Sequence, residues 1–396
     1  MFTRRLLTTA ARASTTRRSF ATSTSITKNK PAVYDMTSDT ATEVTDDMFD
    51  IMKRASRKDD VFGADDSIND LEQHVAKLLG HEAALFCASG TMTNQLGLRT
   101  LLTQPPHSVL CDARSHIYNY ECGGLAYNSQ AALTPTMPKN NVYLTAEEID
   151  YNLNMDDLCG APTRVIALEN TLNGAIMPLE EMERIHTLAR NKDLLLHLDG
   201  ARLWNASQAT GIPLSEYGQL FDTISVCVSK GVGAPVGSLV VGSRDRIKRA
   251  RHVRKLLGGG WRQAGLLAAV AHHCIDTIVP TMPETHRLTS RLANHLETLG
   301  MRILLPCDTN MIFLDTAPWV TVNELADALE EKKIIIGRDE GTVTRIVLHH
   351  QIDEQAVEDF INVATRLSEE KQQLGKRVVE EDHKVDISRA YPSASR

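Results

Sequence analysis

No stretch of the 396 residues approaches the ~20 uninterrupted apolar positions that a membrane-crossing helix needs, which argues against an α-helical membrane protein. No C-x-x-C spacing occurs among the cysteines at 87, 111, 122, 159, 227, 274 and 307, and their number is odd. They read as reduced thiols, without a disulfide framework or a zinc site. Positive charge is in deficit, with a net charge of −7, so a general affinity for nucleic acid is not expected. Aromatic residues make up only 5 %, against 42 % hydrophobic and 23 % charged, the balance of an ordinary soluble α/β protein. There is no internal repeat, and the length exceeds that of a single core, so one large domain with a smaller partner is expected.

Acids are also missing from the start of the chain, where the first is Asp35. Before it stand Arg4, Arg5, Arg12, Arg17, Arg18, Lys28 and Lys30 among Ser, Thr and Ala, the pattern of a mitochondrial transit peptide. Residues 1–33 are assigned to it, with Arg18-Ser19-Phe20-Ala21 resembling a processing site cut after Phe20. The plainer alternative is a basic disordered tail in a cytosolic protein.

From about Tyr34 strand and helix signals alternate. Ala84–Ala88, Ser108–Cys111, Arg164–Leu168, Leu194–Leu198 and Thr223–Val228 are apolar runs of strand length, interleaved with helical patterns such as Leu179–Lys192. Continuous apolar strands between helices imply a mostly parallel sheet covered on both faces, a three-layer α/β domain over 34–275. Residues 276–372 read as a small α+β domain, with a helix over Thr285–Leu299, strands at Arg302–Leu305, Met311–Leu314 and Thr344–Leu348, and a helix around Asn323–Lys332. Residues 373–396 are polar and aperiodic, a tail.

Chemistry in such sheets collects beyond the carboxyl ends of the strands. After Val228 comes Ser229-Lys230-Gly231-Val232-Gly233-Ala234-Pro235, a lysine closing an apolar strand before a glycine-rich turn. An amine there is partly desolvated and suited to forming a Schiff base. His197-Leu198-Asp199-Gly200-Ala201-Arg202 places a carboxylate past another buried run. Pyridoxal phosphate requires one against its pyridine nitrogen, because the protonated ring is the electron sink. Ser89-Gly90-Thr91 opens a helix after a strand, so free backbone N–H groups and the helix dipole suit a phosphate. His116, after the strand ending at Asp112, could stack on a flat cofactor and move protons near neutral pH. Each alone has a plainer explanation: a turn lysine, a capping Asp, an N-cap serine, a structural histidine. Four such elements at successive strand ends of one domain are much less easily ascribed to chance.

Here the sequence resembles the low-specificity L-threonine aldolases, a family of fold-type I pyridoxal-phosphate enzymes. The resemblance covers about 35–350. It is carried by Ser38-Asp39-Thr40, Asp59-Asp60-Val61-Phe62-Gly63, Ala88 to Gln95, Ser115-His116-Ile117-Tyr118, Glu169-Asn170-Thr171, His197 to Arg202, Ser229-Lys230-Gly231 and Leu257 to Gln263. It implies a fold-type I large domain with a small C-terminal domain, Lys230 as the Schiff-base lysine, Asp199 as the pyridinium partner, His116 as the stacking ring and Ser89, Gly90 and Thr91 as the phosphate turn. Ser38, Arg202 and Arg345 are assigned by it to the substrate carboxylate, with Arg202 also near the cofactor. It further implies a homotetramer with sites between subunits, in which Arg262 reaches a partner's cofactor. Thr37 stands where the family usually has arginine, and Leu172 where histidine is common.

The implied reaction is retro-aldol cleavage of L-threonine or L-allo-threonine to glycine and acetaldehyde, with His116, directly or through a water, as the candidate base. β-Elimination on another β-substituted amino acid is the alternative for the same cofactor. A nucleic-acid module on the basic run Arg244–Lys255 is the reading from another class, but Ile247, Ala250 and Val253 recur at helical spacing and favour an amphipathic surface helix. No metal ligand is assigned. His272-His273 and His349-His350 are adjacent pairs, which on a helix point about 100° apart.

Overall fold

The computed structural model describes residues 31–375 and Val378; the basic leader up to residue 30 and nearly all of the tail lie outside the described residues. Among the described residues twelve strands occur, in chain order: β1 (Tyr34–Asp35), β2 (Ala83–Cys87), β3 (Ser108–Asp112), β4 (Ala132–Thr136), β5 (Thr163–Glu169), β6 (Leu195–Asp199), β7 (Thr223–Cys227), β8 (Ser238–Gly242), β9 (Arg302–Ile303), β10 (Met311–Asp315), β11 (Ile334–Ile335) and β12 (Val343–Val347). The main sheet has seven strands in the order β2-β8-β7-β6-β5-β3-β4. All run parallel except β8, which is antiparallel to both of its neighbours.

Both faces of this sheet are buried, which is why its strands read as unbroken apolar runs. Along β3 and β5, Leu110 and Ile166 join the largest core cluster, while their neighbours Val109, Cys111, Val165 and Ala167 join a second one on the opposite face. Phe86 and Val241 likewise face the first cluster, and Leu85, Cys87 and Val240 a third. The helix Leu179–Asn191 shows the matching helical logic. Glu180 and Glu181 stand in its first turn and Arg190 in its last, complementing the dipole, and Met182, Ile185 and Ala189 are buried along one stripe.

A second core belongs to the C-terminal part, whose antiparallel sheet has the order β12-β10-β9. Against it packs the helix Glu354–Gln373, capped by Asp353 accepting from the Ala356 N–H at 2.9 Å and burying Ala356, Val357, Phe360 and Ala364. The sequence reading missed this helix.

The arm at 34–36 departs from its expected place with the large domain. β1 pairs with β11, Met36 is fully buried in the core of the C-terminal part, and the Met36 carbonyl accepts from the Val347 N–H, so the arm docks beside β12. A two-residue strand carries no periodic signal, so only the fold could reveal this. His349, of the second adjacent pair, lies with Nε2 2.9 Å from the Asp35 carbonyl and helps to hold the arm.

Candidate active site

Six strands of the main sheet end on one edge, and the sequence-expected residues gather there. Ser89 follows β2 and caps the helix Gly90–Leu101, its hydroxyl accepting from the Met92 N–H at 3.2 Å. That leaves the first turn, at Gly90 and Thr91, presenting backbone N–H groups at the positive end of the helix. Gly90 is required by close approach: a Cβ there would sit 2.8 Å from Cys227 Sγ at the end of β7. His116 opens a short helix after β3, Glu169 ends β5, and Asp199 ends β6 beside it in parallel register. Lys230 follows β7 in a turn closed by the Gly233 N–H donating to the Lys230 carbonyl at 2.7 Å, with Gly233 at φ +81°. The Lys230 charge lies within electrostatic reach of Glu169, Cys227 and Asp39.

The carboxylates and the imidazole form one network. Asp199, 3 % exposed, accepts from Asn94 Nδ2 at 2.7 Å and from the Ala201 N–H at 3.1 Å. Glu121 is buried and accepts from Asn94 Nδ2 at 2.8 Å and from Gln95 Nε2 at 2.7 Å. His116 Nδ1 lies 3.0 Å from Glu121 Oε1, and its backbone N–H donates to Glu169 Oε2 at 2.8 Å. Burial opposes charging of His116, but the hydrogen bond to Glu121 and the charges of Asp199 and Glu169 outweigh it and push the imidazole up. Burial, with Asp199 alongside, pushes the Glu169 carboxyl well above the carboxylate range. Glu121, Asn94, Gln95 and Glu169 had no assigned role in the sequence reading. The first three were reachable in principle, since Asn94 and Gln95 belong to the helix-opening motif and Glu121 stands five residues beyond His116.

The two arginines separate. The resemblance gives Arg202 to the substrate carboxylate, but here its fork is taken by buried Asp39, with Nε donating to Oδ2 at 2.8 Å and Nη2 to Oδ1 at 2.6 Å. Burial raises the Asp39 carboxyl, yet Arg202 overrides this and holds it at about 2. Asp39 neighbours Ser38 in sequence, so the arm itself brings Arg202 its anion, a contact 163 residues apart that no local pattern announces. Arg345 is 7 % exposed in β12, opposite Phe313, and its Nη2 donates to the Thr37 carbonyl at 2.9 Å. Ser38 shares the arm with that carbonyl, and its hydroxyl lies 2.8 Å from Thr40 Oγ1.

This donor set suits pyridoxal phosphate. A lysine, a buried carboxylate held by an amide, a half-buried imidazole and a helix N-terminus with glycine at its first position stand at the carboxyl ends of β7, β6, β3 and β2, matching the aldehyde, ring nitrogen, ring face and phosphate in turn. Among the described residues, the basic helix Arg244–Leu256 serves the fold. Arg254 is buried and donates to the Phe86 carbonyl and Asp60, Arg251 pairs with Asp60 and Glu72, and Arg246 with Asp222. His272 stacks on His74, with ring centroids 4.4 Å apart, and both approach Asp276, a grouping of three that adjacent-pair reasoning did not reach.

Comparison with known proteins places these features in context. Residues 35–318 match the beta-eliminating lyase family model. The low-specificity L-threonine aldolase of Eremothecium gossypii is 46 % identical over 330 residues, covering 83 % of this chain and 85 % of that protein. That of Saccharomyces cerevisiae is also 46 % identical, over 72 % of this chain and 74 % of its own. A solved threonine aldolase of Leishmania major has the same fold, with a TM-score of 0.72 at 21 % identity, spanning 85 % of this chain and 99 % of that one.

Proposed function

We propose retro-aldol cleavage as the activity, on the premise that the chain belongs to the beta-eliminating lyase family and, within it, to the low-specificity L-threonine aldolases. It is a pyridoxal-phosphate-dependent aldehyde-lyase that cleaves L-threonine and L-allo-threonine to glycine and acetaldehyde. The carrying observation is the gathering of Lys230, Asp199, His116 and the Ser89–Thr91 turn on one edge of a parallel sheet in a chain so close to those relatives.

When bound, the cofactor supplies the electron sink for the carbon–carbon bond that breaks. The residues of the chain do the rest. Lys230 would anchor it covalently, Asp199 would face its ring nitrogen, and the N–H groups at Gly90 and Thr91 would receive its phosphate. Arg345, on the small domain, takes the substrate carboxylate with Ser38, while Arg202 braces the arm through Asp39. With Nδ1–H committed to Glu121, Nε2 of His116 accepts the β-hydroxyl proton, directly or through a water, as the aldehyde departs. Incubation with L-threonine should yield glycine and acetaldehyde in equal amounts; ammonia and a keto acid in their place would establish β-elimination and overturn this reading.

Arg345→Lys keeps the charge but loses the bidentate fork. KM for threonine should rise about tenfold or more, and kcat should fall because the carboxylate contact orients the bond that breaks. The cofactor spectrum should stay as it is. Unaltered KM and kcat would place the carboxylate elsewhere.

Assembly and address are part of the proposal. A homotetramer with sites between subunits is supported by Phe62, which is 81 % exposed with the Arg262 guanidinium 6.0 Å from its ring and Asp59 paired to that arginine, a surface suited to a second copy. Light scattering should return four times the chain mass. The acid-free, arginine-rich leader supports mitochondrial import; deleting residues 1–30 should shift the protein to the cytosol in cell fractionation, and an unchanged distribution would remove the targeting role.

A further inference from the structure

The amide of Asn94 lies at the centre of a buried network that the proposed chemistry does not explain. Its Nδ2 donates to two carboxylates, Asp199 at 2.7 Å and Glu121 at 2.8 Å, and its Oδ1 lies 3.1 Å from Nε2 of His197. The amide can be oriented only this way, since the reverse would set its oxygen against two carboxylate oxygens. His197 is fully buried, and burial pushes it down to about 4, so it is neutral. Nε2–H therefore donates to Asn94, and Nδ1 accepts from the Thr223 hydroxyl at 2.9 Å. Gly97, one turn along the helix of Asn94, leaves room for this ring: a Cβ there would meet His197 Cε1 at 2.9 Å.

Asp199 and Glu121 serve different ends, the first at the cofactor nitrogen and the second at Nδ1 of His116. Together with His116 they lie within 4.8 Å of one another, measured between single nitrogen and oxygen atoms. Two buried carboxylates so close repel unless donors stand between them. We propose that Asn94 is a positioning residue that joins the cofactor anchor to the proton-transfer histidine, one amide holding Asp199 and Glu121 at once in an orientation locked by His197. The inference rests on the proposed function for the roles of Asp199 and His116. Its structural content is independent of the substrate.

A single substitution should therefore disturb two properties that a packing residue would leave alone. In Asn94→Ala, Asp199 loses a charge-assisted donor, so pyridoxal phosphate titrated into the cofactor-stripped full chain should bind about tenfold or more weakly. The groups facing His116 are Glu121, Asp199 and Glu169. With the Asn94 donor gone, the first two draw its proton more strongly, and the acidic limb of kcat/KM should move to higher pH by about half a unit. Glu121→Gln removes the chief partner that raises His116, so that limb should move down by about one unit while cofactor affinity stays at the wild-type value.

Asn94→Ala that melts earlier but keeps both the affinity and the limb is merely a packing variant, and the proposal fails. A change in only one of the two properties also overturns it, because the residue then serves a single carboxylate. If Asn94→Ala does not fold, an unmoved limb in Glu121→Gln overturns it instead. Absence of threonine cleavage in the wild type, with the cofactor-affinity loss still present, would refute the proposed function and leave the Asn94 link to Asp199 standing.

Discussion

Lys230→Ala is expected to lose turnover by about 10⁴-fold or more while keeping its fold. The lysine sits half-buried in a turn after β7, outside the hydrophobic core, so its removal opens no cavity of consequence. What disappears is the amine that would anchor the cofactor covalently. The visible band of the lysine-bound cofactor should vanish with activity, and the far-ultraviolet spectrum and melting temperature should match the parent. A Lys230→Ala protein with normal rates would end the proposed mechanism.

Asp199→Ala should slow turnover by about 10³-fold, through loss of the charge that keeps the ring nitrogen protonated. It also strips Asn94 of one acceptor inside a buried network, at a cost of about 1–3 kcal/mol in stability. Asp199→Asn keeps the shape without the charge, and so separates the two effects: it should recover much of the stability and little of the rate. Wild-type kcat in either variant would remove Asp199 from the chemistry.

The sheet was legible because burial on both faces turns β3, β5, β6 and β7 into apolar runs of strand length, each found within a residue or two. β4 escaped notice: it is an edge strand, Ala-Leu-Thr-Pro-Thr, partly exposed and carrying Pro135. The helix Glu354–Gln373 had both a capping aspartate and a 3.6-residue stripe, so its signal was present and went unread. Of the site, Lys230, Asp199, His116 and Ser89 were visible as single residues at strand ends. The links among them were not. Asn94 and Asp199 are 105 residues apart, and Arg202 and Asp39 are 163 apart, distances over which local periodicity carries nothing. Arg202 shows the consequence: a fork suited to a substrate carboxylate is equally suited to a carboxylate of the chain, so its contact with Asp39 could not be read locally.

Whether a lysine-bound cofactor works at the carboxyl edge of the main sheet is decided by trapping it there. The purified holoprotein is reduced with borohydride, digested and mapped by mass spectrometry. One phosphopyridoxyl group per chain is expected, on the peptide carrying Lys230, and none when L-threonine in excess has displaced the lysine before reduction. A label on any other lysine, or a Lys230 peptide found unmodified in active protein, would contradict it.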